Sequence, residues 1–254
     1  MLNEGDLILL LSEDNKKYLI EYQTSKKFVF HLGYIEFKEN LKYGDILLTN
    51  KGYKVYVLEP SNAEIMINVK RKTNIIYPRE AGYIITHTNL KSGSKVIETG
   101  TGSGAMTIML AKIVGNSGKV WTFERNEEHL KRAIKNVQRA KLEHIVEFHL
   151  LDPSIEGYPI SGVDCVIIDV PEPWTLVKPA YKALKNSGFW ASISPTIEQV
   201  IQTVEELKNN NFLDIKTIEL LEREILVRKG KTRPKETMIG HIGYLTIARK
   251  IEFQ

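Results

Sequence analysis

The sequence predicts an α/β fold in which a mostly parallel sheet, covered by helices on both faces, follows a small β domain. From residue 95 onward, short apolar runs typical of strands alternate with longer segments whose apolar residues recur at helical spacing. Residues 1–67 instead contain closely spaced strand-like runs between polar turns, as in a small barrel or sandwich. We therefore expect two domains, at residues 1–67 and 68–254.

The predicted elements follow one another through short connections. In the first domain, strands are predicted at Asp6–Leu11, Tyr18–Tyr22, Lys27–Phe37 and Asp45–Leu58. In the second domain, strands are predicted at Lys95–Glu98, Val120–Glu124, Val146–Leu150, Asp164–Asp169, Phe189–Ile193, Asp214–Leu221 and His241–Ala248, the last two suited to an antiparallel pair. Helices are predicted at Glu80–Asn89, Gly104–Val114, Glu127–Lys141, Leu176–Leu184 and Ile197–Asn209.

Composition limits the classes of protein that this chain can be. Its 35 lysines and arginines against 31 acids leave a net charge of only +4, so any nucleic-acid contact must come from local clusters. The single cysteine, Cys165, excludes a disulfide framework or a cysteine-rich metal site, and we expect no metal. Without a run of about 18 apolar residues or a basic leader, we expect a cytoplasmic protein that does not bind membranes.

A glycine-rich turn lies between the first strand of the second domain and the helix that follows. Gly100, Gly102 and Gly104 allow a sharp turn and a close approach of the backbone to a ligand, and the helix start offers free N–H groups. Two cofactor classes use such turns, because Gly100, Gly102 and Ala105 also satisfy the dinucleotide fingerprint. Glu98, two residues before the first glycine, favours S-adenosylmethionine, whose ammonium and sulfonium groups are cationic.

Acidic residues end or follow four consecutive strands of the predicted sheet. They are Glu98, Glu124, Asp152 and Asp169. Glu124 lies 20 residues after Gly104, where an acid can accept hydrogen bonds from both ribose hydroxyls, and Asp152 is in reach of an adenine amino group. A lone acid after a strand is usually a helix cap or solvated, but four in these places favour a cationic, nucleoside-based cofactor.

The loop Asp169-Val-Pro-Glu-Pro-Trp174 follows the fourth of these strands. Asp169 ends an apolar run, so its carboxylate must be paired or must face a cleft. Pro171 and Pro173 stiffen the loop and remove two backbone donors. Aminoadenine methyltransferases use a related loop with adjacent prolines, which this chain lacks.

These motifs occur in an order that resembles one known family. They are Ile75-Ile-Tyr-Pro78, the glycine loop Glu98–Gly104, Phe123-Glu124, Asp169–Trp174, Ser194–Val200, Arg233-Pro234 and His241–Leu245. Over nearly its whole length the chain resembles the tRNA adenine-N1 methyltransferases that modify position 58 of the T-loop and, in archaea, also position 57. Val170 stands where Leu or Ile is more usual, and Ile242 replaces a usual Thr, which removes a hydroxyl near His241.

The resemblance implies a Rossmann-like class I methyltransferase sheet of seven strands, S-adenosyl-L-methionine as cofactor and a homotetramer. It places Ser103–Met106 against the methionine moiety and His129 near the adenosine. It also places Asp169 and Tyr77 between the cofactor and the target base, as catalytic residues. The complete predicted cofactor site is Glu98, Gly100, Gly102, Ser103, Gly104, Ala105, Met106, Glu124, His129, Asp152 and Asp169.

The implied reaction needs alignment rather than a strong base, because adenine N1 carries a free lone pair. Methylation leaves a cationic ring, and a carboxylate at Asp169 that accepts from the exocyclic amino group would stabilise this charge. Tyr77 would hold a base flipped out of the tRNA. For the RNA we predict contacts by Tyr77, Trp174, Lys231, Arg233 and His241, the two cations lying in the basic run Arg228–Lys235.

Three other functions are compatible with parts of the sequence. A protein isoaspartyl or small-molecule methyltransferase would share the fold and cofactor. A non-catalytic RNA module is disfavoured, because Glu98, Asp152 and Asp169 are all present. A nicotinamide dehydrogenase is allowed by the glycine loop alone.

Overall fold

In the computed structural model, which describes residues 1–252, the amino-terminal part is an antiparallel sheet with a separate hairpin. Its strands are β1 (Leu7–Ser12), β2 (Lys17–Glu21), β3 (Lys27–Phe30), β4 (Gly33–Glu36), β5 (Ile46–Leu48) and β6 (Lys54–Leu58). Four of them form a sheet in the order β2-β1-β6-β5, and β3 pairs with β4. They enclose a core of their own, which includes Ile8, Leu10, Tyr22, Ile35 and Val57.

Two of the strands predicted in this part are wrong in the same way. The segments Lys27–Phe37 and Asp45–Leu58 are each two short antiparallel strands. The first turns between Phe30 and Gly33, and the second turns at Gly52, whose φ is +84°. Because a tight turn needs only a few residues, the apolar content on either side conceals it.

Helix α1 (Asn62–Ile67) belongs by its packing to the second part of the chain. Its N-cap Ser61 and Glu64 form a capping box. Ile65 and Met66 are buried in the hydrophobic cluster of the large sheet and not in that of β1–β6. The division into two domains stays a prediction, and we propose that its boundary lies just before α1.

The second part alternates strands and helices. The strands are β7 (Lys95–Thr99), β8 (Lys119–Glu124), β9 (Val146–Leu150), β10 (Val163–Ile168), β11 (Leu184–Ser194), β12 (Phe212–Ile218), β13 (Ile225–Leu226), β14 (Arg233–Pro234) and β15 (Tyr244–Lys250). The helices are α2 (Pro78–His87), α3 (Ala105–Val114), α4 (Glu127–Arg139), α5 (Pro153–Glu156), α6 (Val177–Ala183) and α7 (Ile197–Asn209), with a 3-10 helix at Pro173–Leu176.

Seven strands form the large sheet in the order β12-β15-β11-β10-β7-β8-β9. The neighbours from β11 to β9 run parallel, and β15 lies antiparallel between β11 and β12. This confirms the predicted α/β fold and its antiparallel closing strands. The chain leaves β7 towards β8 and β9 and later returns to the other side of β7 at β10. Between β7 and β10 the sheet therefore has a topological switch point, where ligands of such sheets bind.

Alternate residues of these strands enter different cores on the two faces of the sheet. Val96 of β7 belongs to a cluster with α2 and α3, whereas its neighbour Ile97 packs with α6 and Leu207 of α7. A parallel sheet needs such cover on both faces. Within residues 1–252, no helix is long and apolar enough to cross a membrane.

Gly100 stands where the backbones after β7 and β10 meet, and its replacement tests this packing. Its φ is +94°, and an added Cβ would lie 2.1 Å from the carbonyl oxygen of Asp169. Gly44 has the same φ and open space around it. We expect Gly44→Ala to lower the free energy of unfolding by about 1–2 kcal/mol, and Gly100→Ala to lower it by about 1–3 kcal/mol more.

Urea unfolding of the two purified variants and the wild type measures this difference. Equal losses for Gly44→Ala and Gly100→Ala would mean that the crowding against Asp169 is relieved at no cost and that only the backbone angle matters.

Candidate functional site

A cavity of about 450 Å³ opens at the carboxyl ends of four neighbouring strands. The segments after these strands form its walls: Thr99–Gly102 after β7, Glu124–Asn126 after β8, Leu151–Ser154 after β9 and Asp169–Glu172 after β10, where all but Thr101 touch the cavity. Thr73 and Asn74 close another side. The switch point of the sheet therefore holds the cavity, and three of the four predicted acids reach it.

The glycine loop takes the conformation that its composition predicts. Gly100, Gly102 and Gly104 all have positive φ, at +94°, +54° and +79°. Gly104 is the N-cap of α3, and a Cβ there would lie 3.2 Å from Ala133 of α4. Glycine is required here for both backbone angle and close packing.

Glu124 connects this loop to the next strand end. Its Oε2 accepts from the Gly102 backbone N–H at 2.9 Å, and its Oε1 accepts from that of Asn126 at 2.9 Å. Each carboxylate oxygen can accept a second hydrogen bond. The geometry is therefore compatible with the predicted contact to a pair of ribose hydroxyls.

Glu98 lies deeper than the sequence suggests. Its Oε2 accepts from the hydroxyls of Thr107 on α3, at 2.5 Å, and Thr122 on β8, at 2.7 Å. Burial raises the pKa of its carboxyl group to about 7. It lines a recess of about 20 Å³, with Ser103 and Met106, and not the main cavity. Glu98 thus connects three elements, and its contact with a cofactor stays a prediction.

Asp152 and His129 line the side of the cavity formed by α4 and α5. Asp152 caps α5, and its Oδ1 accepts from the backbone and hydroxyl of Ser154 at 3.0 and 2.6 Å. The hydrogen bond from the Ser154 hydroxyl lowers the pKa of Asp152, which stays ionised. The backbone N–H of His129 donates to Asn126, the N-cap of α4, and its half-buried ring faces the cavity.

Asp169 lies where little in the protein offsets its charge. It borders both the cavity and the recess. Burial, and then the negative charge of Glu124, raise the pKa of its carboxyl group to about 6. Its backbone N–H is held by Thr99 at 2.9 Å, but within residues 1–252 no hydrogen bond to its carboxylate is formed. A fixed, half-buried acceptor without a donor is a group available to a ligand.

Tyr77 and Trp174, both predicted to contact the substrate, lie outside this cavity. Tyr77 is the N-cap of α2 and lines a second cavity, while Asn74 and Ile76 line the recess beside it. The guanidinium carbon of Arg71 lies 5.9 Å from the centre of the Tyr77 ring. Trp174 is half-buried in the 3-10 helix. A role of either residue at the reacting base stays a prediction.

The other three predicted substrate residues lie in the segment between β12 and β15. Lys231 and Arg233 are exposed at the hairpin of β13 and β14, and Arg233 pairs with Glu236 at 2.7 Å. His241 uses both ring nitrogens internally: Nδ1 lies 2.6 Å from Glu219 Oε1, and Nε2 lies 2.9 Å from the carbonyl oxygen of Pro195. It is a bridge within the protein, so a contact with RNA through a ring nitrogen would have to replace one of these bonds.

Two buried hydroxyl groups lack a partner within residues 1–252: that of Ser103, which the sequence predicts as a cofactor contact, and that of Thr73, which was not found from the sequence. Thr73 Oγ1 and Ser103 Oγ are buried without a hydrogen-bond partner, the first in the cavity wall and the second in the recess. Unsatisfied buried hydroxyls are costly unless a ligand completes them. The only sequence signal for Thr73 is a polar pair, Thr73-Asn74, directly before the apolar Ile75-Ile76.

The donor and acceptor set of the cavity fits S-adenosylmethionine better than a dinucleotide. The carboxylates of Glu124, Asp152, Asp169 and Glu172 line the space against one arginine, Arg125, which lies 3.7 Å from Asp152. The net negative charge of this wall attracts an ammonium and a sulfonium but repels a pyrophosphate. The unpartnered hydroxyls are donors for a carboxylate or a hydroxyl group. Among residues 1–252 there is no group of three or more histidines, cysteines or acids that could hold a metal ion.

Known proteins similar to this chain include tRNA methyltransferases. A family model described as tRNA methyltransferase complex GCD14 subunit matches residues 52–233. The tRNA (adenine(57)-N(1)/adenine(58)-N(1))-methyltransferase TrmI of Methanocaldococcus jannaschii is 36% identical, over 95% of this chain and 94% of that protein. The tRNA (adenine(58)-N(1))-methyltransferase TrmI of Thermus thermophilus is 30% identical, over 96% of each.

Two solved structures resemble the whole chain. The tRNA (m1A58) methyltransferase TrmI from Aquifex aeolicus superimposes with a TM-score of 0.82 at 30% identity, covering 99% of each chain. A SAM-dependent O-methyltransferase from Thermotoga maritima superimposes with a TM-score of 0.92 at 36% identity, covering 100% of this chain and 96% of that one. The fold, the strand-end site and these matches together establish that the chain belongs to the GCD14 family of tRNA methyltransferase subunits.

Proposed function

We propose that this protein transfers a methyl group from S-adenosylmethionine to N1 of adenine 58 in the tRNA T-loop, with adenine 57 as a second target. Full-length relatives named for these positions support the proposal. The observation that carries it in the structure is Asp169, a half-buried carboxylate on the cavity wall that forms no hydrogen bond within residues 1–252.

The cofactor, when bound, supplies a methyl group on a cationic sulfur. We assign its ribose to Glu124 and its adenine to Asp152 and His129, which line one side of the cavity. We assign the methionine moiety to the backbone of the glycine loop and to Ser103–Met106, where the Ser103 hydroxyl has no partner within the protein. We also assign Glu98 to the cofactor site, because it lines the same recess as Ser103.

Asp169 would act on the target base and not on the methyl group. Adenine N1 attacks with its own lone pair, so that no proton has to leave N1 before the bond forms. The product ring is cationic, and an ionised Asp169 that accepts from the exocyclic amino group stabilises this charge as it develops. The main chain of Asp169 is fixed, because its backbone N–H donates to the Thr99 carbonyl oxygen at 2.9 Å, and its side chain borders the cavity.

The RNA contacts and the assembly state are further parts of the proposal. The run Arg228–Lys235 offers five cations in eight residues for tRNA phosphates. Tyr77 and Trp174 would offer aromatic surface to bases, and His241 would hold the segment that carries the cations. A homotetramer would have the edge strand β5, with exposed Ile46 and Leu48, available for contacts between copies. A tRNA substrate would place the enzyme in the cytoplasm.

An O-methyltransferase is the second candidate, because one solved structure that resembles the whole chain is described as a SAM-dependent O-methyltransferase. Labelled methyl transfer from S-adenosylmethionine to a tRNA transcript separates the two. The proposal expects label in the RNA and a stop of reverse transcription at position 58. A transcript with guanosine at 57 and 58 is the control, and label in that control would contradict it.

We expect S-adenosylhomocysteine to raise the melting temperature of the protein, and NAD to leave it unchanged. The acids around the cavity oppose a pyrophosphate. At a ligand concentration 100 times Kd, the stabilisation is about 2.7 kcal/mol. Differential scanning fluorimetry measures both ligands, and a shift with NAD alone would overturn the cofactor assignment.

We expect Asp169→Ala to reduce turnover by at least ~10²-fold, the lower range for a positioned charge stabiliser. Asp169→Asn has the right size but lacks the charge, so we expect nearly the same loss. Cofactor affinity should fall less than turnover, because Glu124 and Asp152 remain. Wild-type kcat/KM, which reports groups of the free enzyme, should fall below a pH of about 6, where Asp169 becomes protonated. Neither variant should show this fall in kcat/KM at low pH.

The Asn variant carries its own folding control. A carboxyl group whose pKa is raised in the folded state stabilises the fold at low pH, and this contribution is lost as the pH rises through the folded pKa. At pH 7.5 without ligand, Asp169→Asn should therefore unfold at equal or higher urea concentration than the wild type. If Asp169→Asn stays active, Asp169 only orients the base and its charge is not needed. If Asp169→Ala loses cofactor binding, Asp169 belongs to the cofactor site.

We expect Lys231→Glu combined with Arg233→Glu to weaken tRNA binding and to flatten its dependence on salt, by about one unit of slope for each lost phosphate contact. Lys182→Glu combined with Lys208→Glu is the matched control, since these exposed lysines lie on α6 and α7, away from the hairpin. Filter binding at several salt concentrations measures both. Equal effects of the two pairs would place the RNA elsewhere.

A further inference from the structure

A second cavity, of about 510 Å³, lies on the far side of the segment that contains Tyr77. Its walls are helix α1, the start of α2 and the segment between β12 and β15. Asn74 lines the cofactor cavity, Ile76 the recess and Tyr77 this cavity, so that one short stretch of chain separates them. The assignments made above for cofactor and target base leave this space without an occupant.

The apolar part of its wall is exposed to water in the free protein. Ile67 on α1 is 44% exposed and Ile239 opposite is 49% exposed, with Met238 beside it. Single exposed apolar residues are ordinary, but several that face one concave space indicate a surface that a ligand covers.

The polar part of the wall offers both a fixed donor and an acceptor. Arg79 donates from Nε to the buried Glu80 and from Nη1 to the carbonyl oxygen of Ile239 at 3.2 Å. Only 14% of the Arg79 side chain is exposed. Glu224 is paired with Lys235 at 2.7 Å, and Glu222 lies beside it. An immobilised guanidinium next to carboxylates suits a neutral heteroaromatic ring with donors and acceptors, whereas the carboxylates would repel a phosphate.

Positive charge in and next to the cavity wall favours RNA over a second copy of the chain. Lys235, at the end of the basic run Arg228–Lys235, is part of the wall. The guanidinium carbon of Arg71 lies 5.9 Å from the centre of the Tyr77 ring, and Tyr77 lines the cavity. A polynucleotide could therefore place phosphates along the cations and a base inside, as proteins that bind unpaired RNA do.

We propose that this cavity binds the base of a nucleotide next to the target adenosine in the RNA substrate. The inference rests on the proposed function, because it needs an RNA whose target base is already unstacked. Tyr77 would then separate the two bases, and the apolar residues around Ile67 and Ile239 would form the surface on which the flanking base packs. The second cavity would then recognise the nucleotide next to the target adenosine, and it is distinct from the cofactor cavity.

A cycle that combines a protein change with an RNA change tests this inference. Ile67→Trp fills the cavity from an exposed position on α1. Transcripts of tRNA that carry an abasic residue on the 5′ or the 3′ side of the target supply the RNA change. For one of the two sides, we expect each change alone to lower kcat/KM about tenfold, within the range for loss of one stacked base, and both together to lower it no further.

Two variants protect the test from trivial failure. Ile201→Trp, at a 51% exposed position on α7, is the control for adding an indole to the surface. Ile239→Trp fills the cavity from the opposite wall, and its carbonyl contact with Arg79 does not depend on the side chain. Unchanged binding of S-adenosylhomocysteine verifies that each variant is folded.

The outcomes distinguish this inference from the proposed function. If the wild type methylates the intact transcript, but the losses of kcat/KM caused by Ile67→Trp and by each abasic residue multiply when combined, only the flanking-base site is overturned. A change in sedimentation with Ile67→Trp, without any change in kcat/KM, assigns the cavity to a second copy of the chain and also overturns it. No methylation of any transcript by the wild type refutes the proposed function, and the inference with it.

Discussion

The site depends on the contact between two backbones at the switch point of the large sheet. The Asp169 N–H donates to the Thr99 carbonyl oxygen at 2.9 Å, and Gly100 passes so close to Asp169 that a side chain cannot be accommodated. This contact makes the glycine loop after β7 and the acidic loop after β10 adjacent parts of the wall of one cavity. Because β7 and β10 are neighbours only through a crossover, the packing of the whole sheet fixes the distance between the loop and the acid.

The same contact concentrates negative charge that the protein alone does not neutralise. The pKa values of Glu98 and Asp169 are both raised, mainly by burial, and Glu124 lies close enough to influence each of them. Such an arrangement costs folding free energy near neutral pH, since ionised carboxylates are held in a poorly solvated place. A cationic cofactor would reverse this cost on binding. A site that is unfavourable when empty and complementary when filled is typical of ligand-binding clefts in general.

The sequence predicts the parts of the site that follow from the regular geometry of a parallel sheet. Carboxyl ends of parallel strands share one edge, so the positions of Glu124, Asp152 and Asp169 could be derived from strand order alone, and the structure brings all three to the cavity. The direction of a side chain at a strand end could not be derived in this way. Glu98 turns inward to two threonine hydroxyls, because the alternation along β7 points it to the α3 side. Neither Tyr77 nor the bridge made by His241 could be placed, since both depend on irregular segments whose path is set by tertiary contacts.

The side chains of Arg79 and His241 hold the irregular segment between β12 and β15 at two points. These two points connect the sheet to the second cavity. Arg79 binds the carbonyl oxygen of Ile239, and two residues later His241 bridges Glu219 and Pro195. The hydrogen bond to Glu219, and then that to the Pro195 carbonyl oxygen, raise the pKa of the His241 ring. Pro195 directly follows β11, so the bridge fixes the segment to the same edge of the sheet that carries Asp169. The sheet therefore positions both the wall of the second cavity and the basic hairpin. This explains how a segment with almost no regular structure can present residues for RNA binding in a fixed place.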